Sequence, residues 1–421
     1  MEANRHLADA LHEAGLTQNE LAEAVNGYLR SLGREGRVSD RTVRHWLTGK
    51  TRWPHLRQRD ALEALLGRSV EELGFLPPAG RRSATRTEDP VHRRNFLTAA
   101  TGAAAVIVPL SASRSYAVGT ADVIRLRNGL DALTTLDASR GGHENLERVA
   151  LAGASEALAL QKGAASQRVR QRLFGLAASY TASAAWSAMD AWQSCRALGH
   201  LNRALYLAGM AKDPIAEFQV WNLHAMLALH REEFPQAVSA GRAARATAVA
   251  RRDPLFSSLA HARTAIGHSG IGDRQGALRS LGHAEEALAK AGPDQARPSW
   301  VAFYGPAELF ALASVVRDKT GDAVGAEAAS HRALSAIPQQ FRRNRALATL
   351  QLAAAQLHQR DVDQACASTA KVFALMRGNT LPGRMRSYLG DFHRDLITLA
   401  PGSGPVREWE DRYRSEWSLA R

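Results

Sequence analysis

Nine basic side chains fall within residues 30–59: Arg30, Arg34, Arg37, Arg41, Arg44, Lys50, Arg52, Arg57 and Arg59, against only Glu35 and Asp40. An arginine presented from a helix can hydrogen-bond a guanine edge in bidentate fashion, and basic neighbours can neutralise phosphates. Such a stripe serves recognition of a polyanion, with double-stranded DNA first among candidates. The preceding 29 residues have the opposite sign, Arg5 standing against Glu2, Asp9, Glu13, Glu20 and Glu23. Patterns for bond-making chemistry do not turn up. The 15 histidines show no H-E-x-x-H and no paired metal-ligand spacing, and no glycine-rich phosphate loop follows a strand. Cys195 and Cys366 lie far apart in helix-packing segments and read as core. The expectation is a protein without enzymatic activity, cofactor or metal.

The elements that must position the basic stripe are helices. Residues 2–14 carry Leu7, Ala8 and Leu11 on one face and end at Gly15. Thr17 with Glu20 forms a capping box for a helix over about 17–30 that buries Leu21, Ala22 and Val25. After a loop holding Gly33 and Gly36, Ser39 caps a third helix over 40–48, closed by Gly49. Val43, Trp46 and Leu47 share its inner face, so Asp40, Arg41, Arg44, His45 and Thr48 face out. A fourth helix at about 56–66 and a capped turn from Ser69 to Gly74 complete a five-helix domain over 1–76.

This is the arrangement in which one helix braces another whose N-terminal half enters a major groove. The strings T-Q-N-E-L-A and V-S-D-R-T-V-R-H-W-L-T-G-K, followed by Pro54, resemble the Xre/Cro-type helix-turn-helix of bacterial regulators. The loop over roughly 31–38 is longer than in compact repressors of that type. The expected DNA-binding residues are Thr17, Gln18, Ser39, Asp40, Arg41, Thr42, Arg44, His45, Lys50 and Arg52. Arg41 and Arg44 would read bases, Thr42 or His45 would reach other base edges, and Thr17, Gln18 and the start of the second helix suit phosphates.

Residues 77–119 read as a linker. Arg93-Arg94-Asn95-Phe96-Leu97 and the small apolar stretch to Leu110 resemble a twin-arginine export signal. Signals of that kind open a chain, whereas here a DNA-binding pattern comes first, so a packing helix and a cytoplasmic protein are expected.

From residue 120 to 421 one helical segment follows another. Small residues recur at offsets of 12 and 7: Ala225, Ala237, Ala244; Ala265, Ala277, Ala284; Ser314, Ala326, Ala333; Ala353, Ala365 and Val372; and, more weakly, Ala182, Ser194, Leu201. The successive intervals are 43, 40, 49 and 39 residues. Gly272-Asp273 and Gly321-Asp322 precede the second helix of their pairs. The spacing resembles a degenerate tetratricopeptide array, and arrays of this kind present a concave groove to peptides or proteins. Placing the triplets in register puts Trp186, Gln219, Asn222, Met226 and Ile266 toward that groove as candidate ligand-binding residues.

Length and composition agree. The 421 residues exceed one compact core, hydrophobic residues make up 45% and aromatics 6%, and helix formers dominate. The formal net charge is +13, two cysteines suit a reducing compartment, and no apolar run reaches the ~18 residues that span a bilayer. The fold class is all-α: a five-helix domain followed by a tetratricopeptide-like α-solenoid. The whole chain is similar to the helix-turn-helix/tetratricopeptide transcription regulators of high-GC bacteria. That resemblance implies a homodimeric DNA-binding regulator whose repeats take a peptide, small-molecule or protein effector. A scaffold that has lost DNA binding is the competing expectation.

Overall fold

The computed structural model describes residues 3–14, 16–31, 34–66, 68–77, 118–140, 144–292, 295–378, 381, 383–402 and 404–419. The twin-arginine-like segment and the apolar stretch after it lie outside the described residues. Among the described residues the chain is all-α and holds no strand. It divides into Met1–Arg125 with Gly163–Ala165, and Leu126–Lys162 with Ser166–Arg421. No described helix is long and apolar enough to cross a membrane.

The first unit contains α1 (Arg5–Glu13), α2 (Gln18–Ser31), α3 (Asp40–Leu47) and α4 (Leu56–Leu66). The fifth element is a single turn rather than a helix. In it the Ser69 amide donates to Glu72 (2.8 Å) and the Glu72 amide donates back to Ser69 Oγ (3.2 Å). The core gathers Leu7, Leu21, Val25, Val43, Trp46, Leu62, Leu73 and Phe75, with the Trp46 and Phe75 rings edge-on at 6.4 Å.

The second unit opens with α5 (Thr120–Arg140), which begins in the first, and α6 (Glu144–Gln161). Helical pairs follow: α7 (Gln167–Asp190) with α8 (Ser194–Ala211), and α9 (Pro214–His230) with α10 (Phe234–Ala246) and the short α11 (Ala248–Arg252). Then come α12 (Pro254–Gly270) with α13 (Arg274–Ala289) and α14 (Pro306–Lys319) with α15 (Ala323–Ala336). Last are α16 (Arg342–His358) with α17 (Val362–Met376) and α18 (Gly383–Leu399) with α19 (Gly404–Leu419). This is a helical solenoid.

One turn recurs between the two helices of a pair. A residue in the left-handed region is followed by the residue that opens the second helix: Trp192 (φ 64°), Glu232 (58°), Gly272 (79°), Gly321 (81°) and Arg360 (70°). Glycine takes that conformation without strain, and Asp273, Asp322 and Asp361 then cap the following helix. Seven residues before each of these turns stands a buried small residue: Ala185, Ala225, Ala265, Ser314 and Ala353. The first repeat is therefore Ala185, Ala197 and Ala204, all fully buried, and not Ala182, Ser194 and Leu201. The sequence reading slipped there by three residues. The first interval is 40 residues, not 43.

The 49-residue interval contains an insertion that fills the core. Trp300 packs on Phe218 and Phe256, and Arg297 forms a two-bond ion pair with Asp253 (2.8 and 2.9 Å). The array is also tied across its length. Asp190, 1% exposed at the end of α7, accepts from Arg343 at the start of α16, 153 residues away. Arg384 on α18 lies 4.0 Å from the same carboxylate and over the Trp186 ring of α7.

Two outcomes follow. Removing one partner of a buried ion pair strands the other, so Asp190→Ala should lower the unfolding free energy by about 3–5 kcal/mol. The Asp190→Leu/Arg343→Met double variant should cost clearly less than the two single changes summed, as read by urea denaturation. His230, half-buried near Arg384 and Arg263, is held down to about 3, and His261, half-buried near Arg245 and His283, to about 4, in both chiefly by desolvation. The unfolded chain takes up those protons near the usual value of about 6.5, so stability is complete above it and is lost as pH falls. His358, raised by its hydrogen bond to Asp318, works in the opposite sense. The melting temperature should fall from pH 7 to pH 5, and His230→Gln should flatten that fall.

Candidate functional site

α3 presents the basic surface. Its start is held by a capping box: the Ser39 hydroxyl accepts from the Thr42 amide and the Ser39 amide donates to Thr42 Oγ1, both at 3.3 Å. Val43 and Trp46 are fully buried beneath it, which leaves Arg41 and Arg44 exposed and Asp40 and His45 half-buried. Arg44 is tethered to Asp40 at 3.0 Å, one turn back. Lys50 and Arg52 are exposed beyond the helix end. The Thr42 hydroxyl, expected to reach a base edge, is instead engaged in the cap through Ser39 Oγ at 3.1 Å.

The Thr17–Glu20 capping box forms as the sequence indicates. Thr17 donates from both its amide (2.8 Å) and its hydroxyl (2.7 Å) to Glu20, and the Glu20 amide returns to Thr17 Oγ1 at 3.4 Å. Thr17 is exposed and Gln18 half-buried at the start of α2.

Asn26, which the sequence reading missed, sets the pose of α3. Its amide donates to the Val38 carbonyl (2.7 Å) and accepts from the Val38 N–H (2.8 Å), clamping the long loop to α2 just before Ser39. Gly36 sits so near that a Cβ there would come within 2.7 Å of Asn26 Cα. The signals were an amide mid-helix and a glycine twelve residues or fewer away, which fixes a partner only once the loop is folded. Arg59 stacks over Trp53 at 4.5 Å.

In the solenoid, the expected groove residues divide. Asn222 on α9 accepts from Arg263 on α12 at 3.0 Å, bridging neighbouring pairs. Trp186 donates to Asp137 of α5 at 2.8 Å. Gln219 is 4% exposed, and its Oε1 has no hydrogen-bond partner. Met226 and Ile266 belong instead to two hydrophobic clusters and are buried there. What joins Trp186 and Asn222 is a set of charges the sequence did not reveal: Asp137, Asp190, Arg263, Glu308, Arg343 and Arg384. Burial raises the carboxyls of Asp137 and Glu308 against the pull of the nearby arginines. No group of residues suited to hold a metal is found among the described residues.

The comparisons reach the first unit. A family model described as the SP15 N-terminal domain matches residues 7–75, the span from the core of α1 to Phe75. No curated protein matches the chain.

Proposed function

We propose that the first unit binds double-stranded DNA in the manner of an Xre/Cro-type helix-turn-helix. In this reading α3 lies in the major groove, and the chain is a transcription regulator whose solenoid takes an effector. The observation that carries this reading is the division of α3: its inner face is locked into the core by Val43 and Trp46, while Arg41 and Arg44 stand in solvent. A cap and a clamp fix its start, so those arginines are presented from a rigid helix with little ordering left to do on binding. Arg44 and Asp40 form a pair whose carboxylate accepts one guanidinium N–H and leaves the rest for a base edge. Arg52, Lys50 and Arg59 supply charge for the flanking backbone.

A scaffold function would need none of this selectivity for nucleic acid. The discriminating experiment is fluorescence anisotropy of the purified chain with duplexes of different sequence at two salt concentrations.

On a selected site, Arg41→Ala and Arg44→Ala should each cost about 1–3 kcal/mol and relax base preference. Arg52→Ala should weaken binding to all duplexes alike and reduce the salt slope by about 1. Asn26→Ala should weaken site-specific binding while touching no nucleotide, and should leave weak binding to unrelated duplexes nearly as before. Unchanged affinity in both Arg41→Ala and Arg44→Ala would show that α3 is not the reading helix.

A further inference from the structure

The interior of the solenoid brings together side chains from α5, α7, α9, α12, α14, α16 and α18 that share little in sequence. Arg263 is 3% exposed; its Nε is bound to Asn222, while its Nη2 has no partner. Arg384 Nε likewise makes no hydrogen bond. These are two guanidinium N–H groups without hydrogen-bond partners in an interior where an unsatisfied donor is costly. Unpartnered acceptors accompany them: Asp190 Oδ2 and Asp137 Oδ1.

Three guanidiniums, of Arg263, Arg343 and Arg384, lie among three carboxyls, of Asp137, Asp190 and Glu308. Arginine keeps its charge even when buried. Burial raises the carboxyls of Asp137 and Glu308, and the charged partners of the Asp190 carboxylate are Arg343 and Arg384. Arg263 and Arg384 keep guanidinium N–H groups without hydrogen-bond partners in this low-dielectric interior, where an anion would be held strongly. One side is open to solvent: the Arg343 and Arg384 side chains keep 20% and 14% of their surface, and Tyr388, one turn along α18, is exposed. Trp186 beneath Arg384 gives this mouth an apolar wall.

We propose that this interior is a binding site for a small ligand bearing an oxyanion, a carboxylate or a phosphate, clamped by Arg263 and Arg384. A planar guanidinium offers paired N–H donors that match both groups. The unused oxygens of Asp190 and Asp137 take donors on the rest of the molecule. As the effector pocket, the site deepens the proposed regulatory reading, but ligand binding itself is measured without DNA.

The test uses the full chain in calorimetric and thermal-shift titrations with succinate, inorganic phosphate, dimethyl succinate and, at matched ionic strength, sodium chloride. Saturable binding of succinate or phosphate is expected, with none for the ester or chloride; whichever binds identifies the oxyanion. Arg384→Gln, at the partly open edge, should weaken binding by about tenfold or more. Arg263→Lys, which keeps the charge and loses the fork, should weaken it also. The site is overturned if neither oxyanion binds beyond the chloride control, or if Arg384→Gln binds as the unmodified chain does. Binding that leaves DNA affinity unaltered upholds the site and overturns its role as effector pocket.

Discussion

A carboxylate withdrawn from water at the end of α7 organises the second unit. Asp190 is almost wholly buried, and its answer comes from Arg343 and Arg384, on helices four and five pairs further along the solenoid. Helical repeats ordinarily touch only their neighbours, so their curvature is the sum of small local rotations. Here the sum is checked by a charge pair that cannot separate without leaving an ion stranded in a poor solvent. Everything inside the solenoid is positioned by that closure: the Arg384–Trp186 stack, the Asn222–Arg263 bridge, and Asp137 beneath the indole N–H.

Such an interior has consequences for regulation. A ligand shifts an equilibrium only by its differential affinity for two states. Groups drawn from α7, α9, α12, α16 and α18 report on the closure of the whole array, so an anion between Arg263 and Arg384 would favour one curvature over another. Tight small-residue packing between helices makes the array resist gradual deformation. In the proposed reading these are the properties a sensing domain needs, and the first unit supplies the DNA-reading surface.

The sequence made the local features legible and the long-range ones not. The capping boxes at α2 and α3 lie where serine or threonine stands three residues ahead of its partner, though at α3 the partner is Thr42 rather than an acid. The buried face of α3 was readable because Val43 and Trp46 keep helical spacing. In the solenoid, Gly272-Asp273 and Gly321-Asp322 announced their turns, whereas Trp192, Glu232 and Arg360 take the same left-handed conformation with no such signature. That is why the first repeat was misplaced by three residues: α7 is rich enough in alanine for Ala182 to stand in for Ala185, and only the turn at Trp192 decides between them. Asn26 and the arginines of the interior were invisible for a common reason, since each acts on a partner that only tertiary structure brings near.

The central claim is that the first unit reads DNA sequence. The most direct measurement incubates the purified chain with a library of random duplexes at near-physiological salt and sequences the retained fragments through successive rounds. Convergence on one motif, with its bases protected in the major groove when the complex is footprinted, is the result this account predicts. A pool that stays random through all rounds, although the chain is folded by circular dichroism, would contradict it.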